Sequence, residues 1–450
     1  MSTKPLLLVL FISVAAILAS SHARAQVEPG AEGGPAPEDE TQMSMPAPVS
    51  GTPYPTIGIS EERTNYMASD LTFGGAYIDN VLPGATSQPV SDTTYSIAPK
   101  LVFDRSTPHQ LVDVAYNPEF IFYQPTSSLN TVDQSASLIY QEHLSPYKAI
   151  SVQDSFFKTS NVFDVSYPFS EGGLGGSAQA PTSPVIAPFA NQLRNDASAS
   201  FDAQIARNAM IGAGGTYSNF QFSDPADAIG LENSHGGGAS GFYDRRIFRM
   251  QYAGISYDYN RILAGPNEAQ VDTQSQSILP FYTFYLRRTI SFSLSAGAQH
   301  VNVAETSQAV STSWLPAGVV SMGWQGNRGT ISTSYLHTAT TGGGLVGAYK
   351  SNSANGNGTW KLSPKWSAEF AISYSTISPV APLASLTYQG GNAFAAMGSI
   401  AYHIGERFSV EGGYERLREN FSGIAVVSRN PDSDRTYVTL AYHIAKSLGR

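Results

Sequence analysis

The chain has 450 residues, and only 14% of them are charged, against roughly a quarter in an average soluble domain. It contains no cysteine, which excludes a disulfide scaffold, a cysteine-ligated zinc site, an iron–sulfur cluster and a cysteine nucleophile. The formal charge of −9 argues against a nucleic-acid partner, which selects a basic surface.

Residues 1–25 have the pattern of a secretory signal peptide. Lys4 gives a positive start, an apolar run follows from Leu6 to Leu18, and the segment ends in Ala-Arg-Ala. The apolar run is shorter than the roughly 20 residues that a membrane-spanning helix needs. We therefore expect cleavage before Gln26, and the alternative is an uncleaved anchor helix.

Residues 26–57 are rich in proline and acidic residues and contain no lysine or arginine. Such a segment cannot bury enough apolar surface to offset the loss of chain entropy on folding. We expect a disordered periplasmic tail, which serves either as a solvated leader or as a tether to a periplasmic partner.

Residues 58–450 repeat one pattern with a period of about 40 residues. Each period contains two runs of alternating apolar and polar residues, a tight turn that holds charge, Pro or Gly, and a looser loop. In the run that begins at Trp366, Phe370 and Ile372 share one face, while Ser367 and Glu369 share the other. A sustained period of two indicates half-buried β-strands.

Three features favour an all-β transmembrane antiparallel up-and-down β-barrel over a soluble β-sandwich, a solenoid or a propeller. The runs are longer than the 5 to 6 residues typical of globular strands, and a tilted strand needs roughly 9 to 11 residues to cross a bilayer. The polar faces consist mostly of Ser, Thr, Asn, Gln and Gly, as suits a hydrated interior. Aromatic residues, among them Trp324, Trp360 and Tyr402, gather near the ends of the runs.

By this pattern the chain resembles the outer-membrane β-barrel proteins of Gram-negative bacteria, and porins most. Counting two runs for each tight turn gives about 18 strands (16–18). The resemblance implies that this number is even and that the barrel lies in the outer membrane, with both chain termini and the tight turns in the periplasm and the looser loops outside. It also implies contact with outer-membrane lipid and lipopolysaccharide, folding by the barrel-assembly machinery, and a homo-oligomer as one alternative. The expected last strand, Thr436–Ile444, is followed by six further residues, whereas barrels of this class usually end on an aromatic residue.

The function that this architecture favours is a passive channel for small hydrophilic solutes or ions. A barrel of sixteen or eighteen strands leaves an aqueous bore, whereas one of eight strands is filled by its own side chains. The main alternative is a non-conducting structural or interaction barrel of a surface-polysaccharide or secretion assembly. We expect no enzymatic activity, cofactor or metal, because the histidines are scattered and no hydrolase or metal-binding motif is present.

Two groups of residues are candidates for lining the pore. The connection 159–192 is the longest, and the third outer loop of porins folds into the barrel. By that resemblance Asp164 and Glu171 line a constriction, with Phe163, Phe169 and Phe189 packing the loop on the wall; the alternative is an outward lid or surface loop. Residues opposite the apolar faces of the strands are expected in the lumen, where they favour weak cation selectivity unless they pair with one another. These residues are Lys100, Asp113, Glu119, Asp202, Lys365, Glu369, Arg407, Glu411 and Glu415.

Overall fold

A computed structural model describes residues 65–447, with gaps at 83–85, 87, 108, 161–162, 164–190, 224–230, 266–269, 288, 306–309, 343, 381–389, 406 and 423–431. The expected signal peptide and periplasmic tail lie outside the described residues. In the part of the chain that is described, no helix is long and apolar enough to cross a membrane.

Eighteen strands account for almost all of the described residues, as the number of alternating runs predicts. They are β1 (Asn65–Ile78), β2 (Asp92–Ser106), β3 (Gln110–Tyr123), β4 (Thr131–Ser145), β5 (Lys148–Thr159), β6 (Gln192–Ala206), β7 (Ala209–Phe222), β8 (Ser234–Phe248), β9 (Gln251–Ala264), β10 (Val271–Arg287), β11 (Ile290–Glu305), β12 (Ser311–Gly326), β13 (Gly329–Gly342), β14 (Leu345–Ser363), β15 (Trp366–Pro379), β16 (Gly390–Ile404), β17 (Phe408–Ser422) and β18 (Asp432–Ser447).

The strands form one closed antiparallel barrel. Each strand pairs with the next in the chain, and β1 closes the sheet by pairing with β18 from Tyr66 opposite Ser447 to Ile78 opposite Arg435. Closure gives the first and last strands the partners that they would lack at the edges of an open sheet. The fold class predicted from the alternation is confirmed.

Large apolar side chains cover the outside of this barrel. Phe73, Leu101, Leu294 and Phe370 are all exposed, although they belong to regular strands whose alternate residues are polar. An exposed apolar surface that surrounds a closed barrel fits a hydrocarbon environment, in which every second side chain contacts lipid and the others face the lumen.

Aromatic rings form a belt on the outer surface near the tight turns. They pair across neighbouring strands, with centroids 5.3 Å apart for Trp324 and Trp360 and 4.7 Å apart for Trp366 and Tyr402. Rings at this level match the aromatic girdle at a membrane interface. The molecule is therefore an outer-membrane β-barrel, as its sequence pattern implies.

Two strand boundaries differ from the predicted ones. The charged sequence Tyr-Asp-Arg-Arg-Ile at 243–247 predicts a tight turn, but the eighth strand continues through Arg245 and Arg246 to Phe248, and the turn follows it. The last strand runs to Ser447 instead of Ile444, because it pairs with β1 as far as Tyr66, which is opposite Ser447. Ladder partners set both ends, and these partners are distant in sequence.

Candidate functional site

The strands place seven of the predicted pore-lining residues at lumenal positions. Lys100 is opposite Asp70 in the β1–β2 ladder, Asp113 is opposite Asp104, and Glu119 is opposite Asp133. The other four, on the same alternation, are Asp202 on β6, Glu369 on β15, and Glu411 and Glu415 on β17.

The remaining four predicted residues do not stand on strand faces that are described. Lys365 lies in the tight turn before β15, and Arg407 lies in the turn before β17. The first residue of β15 follows Lys365 directly, and the first residue of β17 follows Arg407 directly, so neither basic residue belongs to the inward or the outward face of its strand. Asp164 and Glu171 lie outside the described residues, so their place in a constriction remains a prediction.

The lumen carries further acidic residues besides these seven. Each lies on the inward face of its strand, so the alternation applied to every strand would have found them. They are Asp70, Asp92, Asp104, Asp133, Asp196, Asp244, Asp258, Glu305 and Glu419. Apart from Glu305 at the end of β11, the lumenal acidic groups of the described strands lie between β15 and β9, on the side of the barrel that contains the closure.

The opposite part of the wall is neutral. Strands β12 and β13 contain no Asp, Glu, Lys or Arg, and their lumenal positions hold mainly serine and threonine, such as Ser321 and Ser334. The electrostatic character of the lumen is therefore asymmetric, with an acidic arc from β15 to β9 facing a hydroxyl-rich wall.

Two basic groups in the arc have close carboxylate partners, and one of them is Arg194, which pairs with Asp196 on β6. The guanidinium of Arg435 lies 3.3 Å from the carboxylate of Glu415, and both side chains are largely buried. The Tyr437 hydroxyl donates a hydrogen bond of 3.0 Å to Glu411. Because Glu415 balances the arginine, Glu411 contributes a negative charge that no described cation offsets through an ion pair.

A second group of lumenal side chains lies at the closure of the barrel, where a chain of hydrogen bonds joins β17, β18 and β1. The His443 ring joins Asp70 on β1 through Nδ1 at 2.9 Å and Ser409 on β17 through Nε2 at 2.9 Å. Both His443 and Asp70 are partly exposed to the lumen. The chain ties the first strand to the last two, and its order of serine, histidine and aspartate is that of a hydrolytic triad.

The connection after β5 turns into the lumen. Asp133 holds its start, since its carboxylate accepts a hydrogen bond of 2.5 Å from the Thr159 hydroxyl. Phe163 then packs in a buried cluster with residues of β1, β16 and β17, and only 1% of its surface is exposed. Arg435 lies 5.8 Å from the centre of its ring. The start of the longest loop therefore reaches the lumenal wall near the barrel closure, whereas Phe169 and Phe189 lie outside the described residues.

A second element, the hairpin tip 338–349 between β13 and β14, also lies inside the barrel. Val346 and Ala348 would face lipid if β14 followed the wall, yet they are buried against Val271 and Val301 on the inner surface of β10 and β11. The other face of the tip carries Leu345 and Tyr349, which pack with Phe220, Phe222 and Phe421 from β7 and β17.

One side chain fixes this inward position. Gln299 on β11 donates from Nε2 to the carbonyl of Ala339 at 3.0 Å, and its Oε1 accepts from the Ala339 N–H at 2.7 Å. The amide thus supplies both backbone bonds that a neighbouring strand would supply at this residue. Together, the hairpin tip and Phe163 place apolar side chains inside the loop-side end of the barrel.

Comparisons with known proteins return only distant structural likeness. No protein-family model matches the chain, and no curated protein matches it. The structure of OccK2 from Pseudomonas aeruginosa in complex with glucuronate is similar at 10% identity and a TM-score of 0.40, over 84% of this chain and 98% of that one. A BenF-like porin from Pseudomonas fluorescens has 10% identity and a TM-score of 0.41, over 86% and 100%. The FrpB iron transporter from Neisseria meningitidis has 8% identity and a TM-score of 0.43, over 85% and 83%.

Proposed function

We propose that the protein is an outer-membrane channel for small hydrophilic solutes that prefers cations. The supporting observation is the acidic arc, where carboxylates outnumber basic groups and the basic group Arg435 is held by Glu415. An excess of fixed negative charge on a lumenal wall raises the local concentration of cations and repels anions. The seven predicted residues on strand faces have the role of pore lining in this proposal.

The apolar packing at the loop-side end of the barrel supports a selective channel rather than a wide one. Two apolar clusters occupy the loop side of the lumen, one around Phe163 and one around Tyr349. Solutes that enter along the barrel axis must pass between these clusters or displace the hairpin tip. We therefore propose a gated channel that passes small solutes.

The reversal potential in a salt gradient tests the cation preference. In planar bilayers with a KCl gradient, we expect the wild-type potential to have the sign of a K⁺-selective pore. The double variant Asp104→Asn with Asp113→Asn removes two facing carboxylates and should lower the K⁺/Cl⁻ permeability ratio about twofold.

The matched control for this experiment is Asp272→Asn. Asp272 has the same chemistry but pairs with Arg261 on the outer face of β9 and β10. This change should leave the permeability ratio as in the wild type. An anion-selective wild type, or equal effects of the lumenal and outer changes, would refute the proposal.

A second candidate function is hydrolysis of an ester in the lumen. It is favoured by the bonds that His443 makes to Ser409 and Asp70, both at 2.9 Å. In such a set the imidazole takes the proton of the serine hydroxyl during attack, and the carboxylate orients the imidazole.

Labelling with a fluorophosphonate probe separates the two functions. A triad predicts covalent labelling of the full-length barrel that is lost in both Ser409→Ala and His443→Ala, while the outer-face variant His337→Ala stays labelled. If the wild type takes up no label at any pH between 6 and 9, the hydrogen-bond chain only ties the barrel closed and the hydrolytic candidate is discarded.

A further inference from the structure

The barrel wall has an interrupted ladder between β12 and β13. These strands pair from Gly326 opposite Gly329 only as far as Gly318 opposite His337. Beyond that point β13 pairs with β14 alone, because its end follows the hairpin tip into the lumen. Among the described residues, none pairs with the free side of β12 from Ser311 to Ala317, which retains only its β11 ladder. We call this interruption the seam.

The seam lies at the level of the outer leaflet. On the outer face of β12, Trp324 belongs to the belt near the tight turns, and Trp314 stands ten positions back with 70% of its surface exposed. Ten residues of a tilted strand span about 25 Å, which is the height of the apolar band of such barrels. The seam opens between Gly318 and Trp314, and thus inside this band on the loop side.

Hydrocarbon cannot satisfy the backbone groups that the missing ladder leaves on β12. These groups need either water from the lumen or the polar part of a bound molecule. A seam that is hydrated from inside and flanked by lipid outside joins the two environments. Such a junction suits a molecule that has both a polar and an apolar part.

A cavity connects the seam with the acidic arc. Its lining combines carboxylate and hydroxyl groups of the lumenal wall with residues from both sides of the seam. The lining residues that matter here are Asp258, Ser277, Ala317, Gly318, His337 and Thr338. Asp258 is the one acidic group among the described residues of this lining, and Leu279, Val319 and Leu336 supply its apolar part.

We propose that the seam is a lateral portal between the lumenal cavity and the outer leaflet. Its ligand is a small amphipathic molecule with a cationic head, which Asp258 binds, and an apolar body, which passes between β12 and β13. This inference goes beyond the proposed channel, because it concerns a route through the wall and does not require ions to cross along the axis.

Paired cysteines test whether the seam is open, on a background that has no native cysteine. If the ladder continued in register, Leu315 would be opposite Thr340, four residues beyond the pair formed by Val319 and Leu336. Under mild oxidation we expect the control Val319→Cys with Leu336→Cys to form a disulfide, since its positions are ladder partners. The seam variant Leu315→Cys with Thr340→Cys should form none and should be bridged only by a long bis-maleimide. Equal disulfide formation in both would show a closed wall and overturn the proposal.

Dansylcadaverine, a fluorescent amphipathic amine, tests the ligand class. We expect the reconstituted full-length barrel to bind it with increased fluorescence, and Asp258→Asn to weaken binding roughly tenfold. The control Asp272→Asn removes a carboxylate on the outer face, which does not line the cavity, and should leave the affinity unchanged. Equal losses in both variants, or no binding by the wild type, would contradict a site at the seam.

The bis-maleimide bridge gives a functional readout that does not depend on the Asp258 variant. Bridging the seam should slow the transfer of dansylcadaverine from lipid to lumen several-fold, while the ionic conductance stays that of the unbridged barrel. Transfer at the unbridged rate would overturn the portal. If bridging slowed the transfer of dansylcadaverine and also abolished ion selectivity, the result would count against the proposed channel and would still support the portal.

Discussion

At the scale of single residues, strand alternation decides which side chains can meet. It places Asp113 and Glu119 in the lumen from sequence alone, because successive side chains of a strand point to opposite faces. The alternation does not tell whether Lys365 and Arg407 face the lumen, because both lie in turns, where strand pairing has stopped. Contacts such as that between Arg435 and Phe163 could not be predicted, as they join a loop to a strand distant in sequence.

Phe163 is the residue whose removal should reveal the inward course of the long loop. We expect Phe163→Ala to lower the free energy of unfolding by about 3 kcal/mol, because the ring is buried and its loss leaves a cavity. Urea unfolding of the barrel in detergent, followed by tryptophan fluorescence, measures this change.

Phe157→Ala is the matched control. Phe157 also points into the lumen, but 40% of its surface is exposed. Its loss should cost less than about 1 kcal/mol. Equal destabilisation by the two changes would mean that the Phe163 ring is not packed on the lumenal wall.

At the scale of elements, seventeen ladders follow chain order and the closure adds one more, and the repeated hairpins predict this arrangement. The inward hairpin tip is the exception. Residues 345–349, Leu-Val-Gly-Ala-Tyr, are apolar at both alternate positions, which is typical of a segment that is buried on both faces. This signal is present in the sequence, but it cannot show that the partners are β7, β10, β11 and β17, since those contacts arise only when the barrel closes.

Gln299 should hold the hairpin tip in place. In Gln299→Ala the backbone N–H and carbonyl of Ala339 lose both bonds, so we expect hydrogen exchange of the Ala339 amide to rise about tenfold to a hundredfold. Hydrogen-exchange mass spectrometry of the peptide that contains 338–349 measures the rate.

Gln274→Ala serves as the control for this prediction. Gln274 lies two strand positions from Asp272 on the outer face and contacts it rather than the hairpin. Exchange at Ala339 should not change in this variant. An unchanged rate in Gln299→Ala as well would show that apolar packing alone keeps the tip inside.

At the scale of the whole molecule, the number of strands and the closure of the sheet decide what the protein can do. Eighteen strands give a circumference that side chains such as Ser321 and Asp258 cannot fill, so water occupies the lumen between the packed elements. Period, strand length and turn spacing were enough to predict this architecture. The inward course of the hairpin tip 338–349 could not be predicted, because the sequence pattern specifies which side of a strand faces inward and not where the tip of a hairpin packs.

A closed barrel around a wet, acidic lumen should conduct ions, and single-channel recording of the purified full-length protein measures this conduction. In planar bilayers we expect stepwise currents carried mainly by K⁺, with Gln299→Ala spending more time in the open state than the wild type. A correctly folded barrel that gives no current, even in the Gln299→Ala variant and at high voltage, would contradict it.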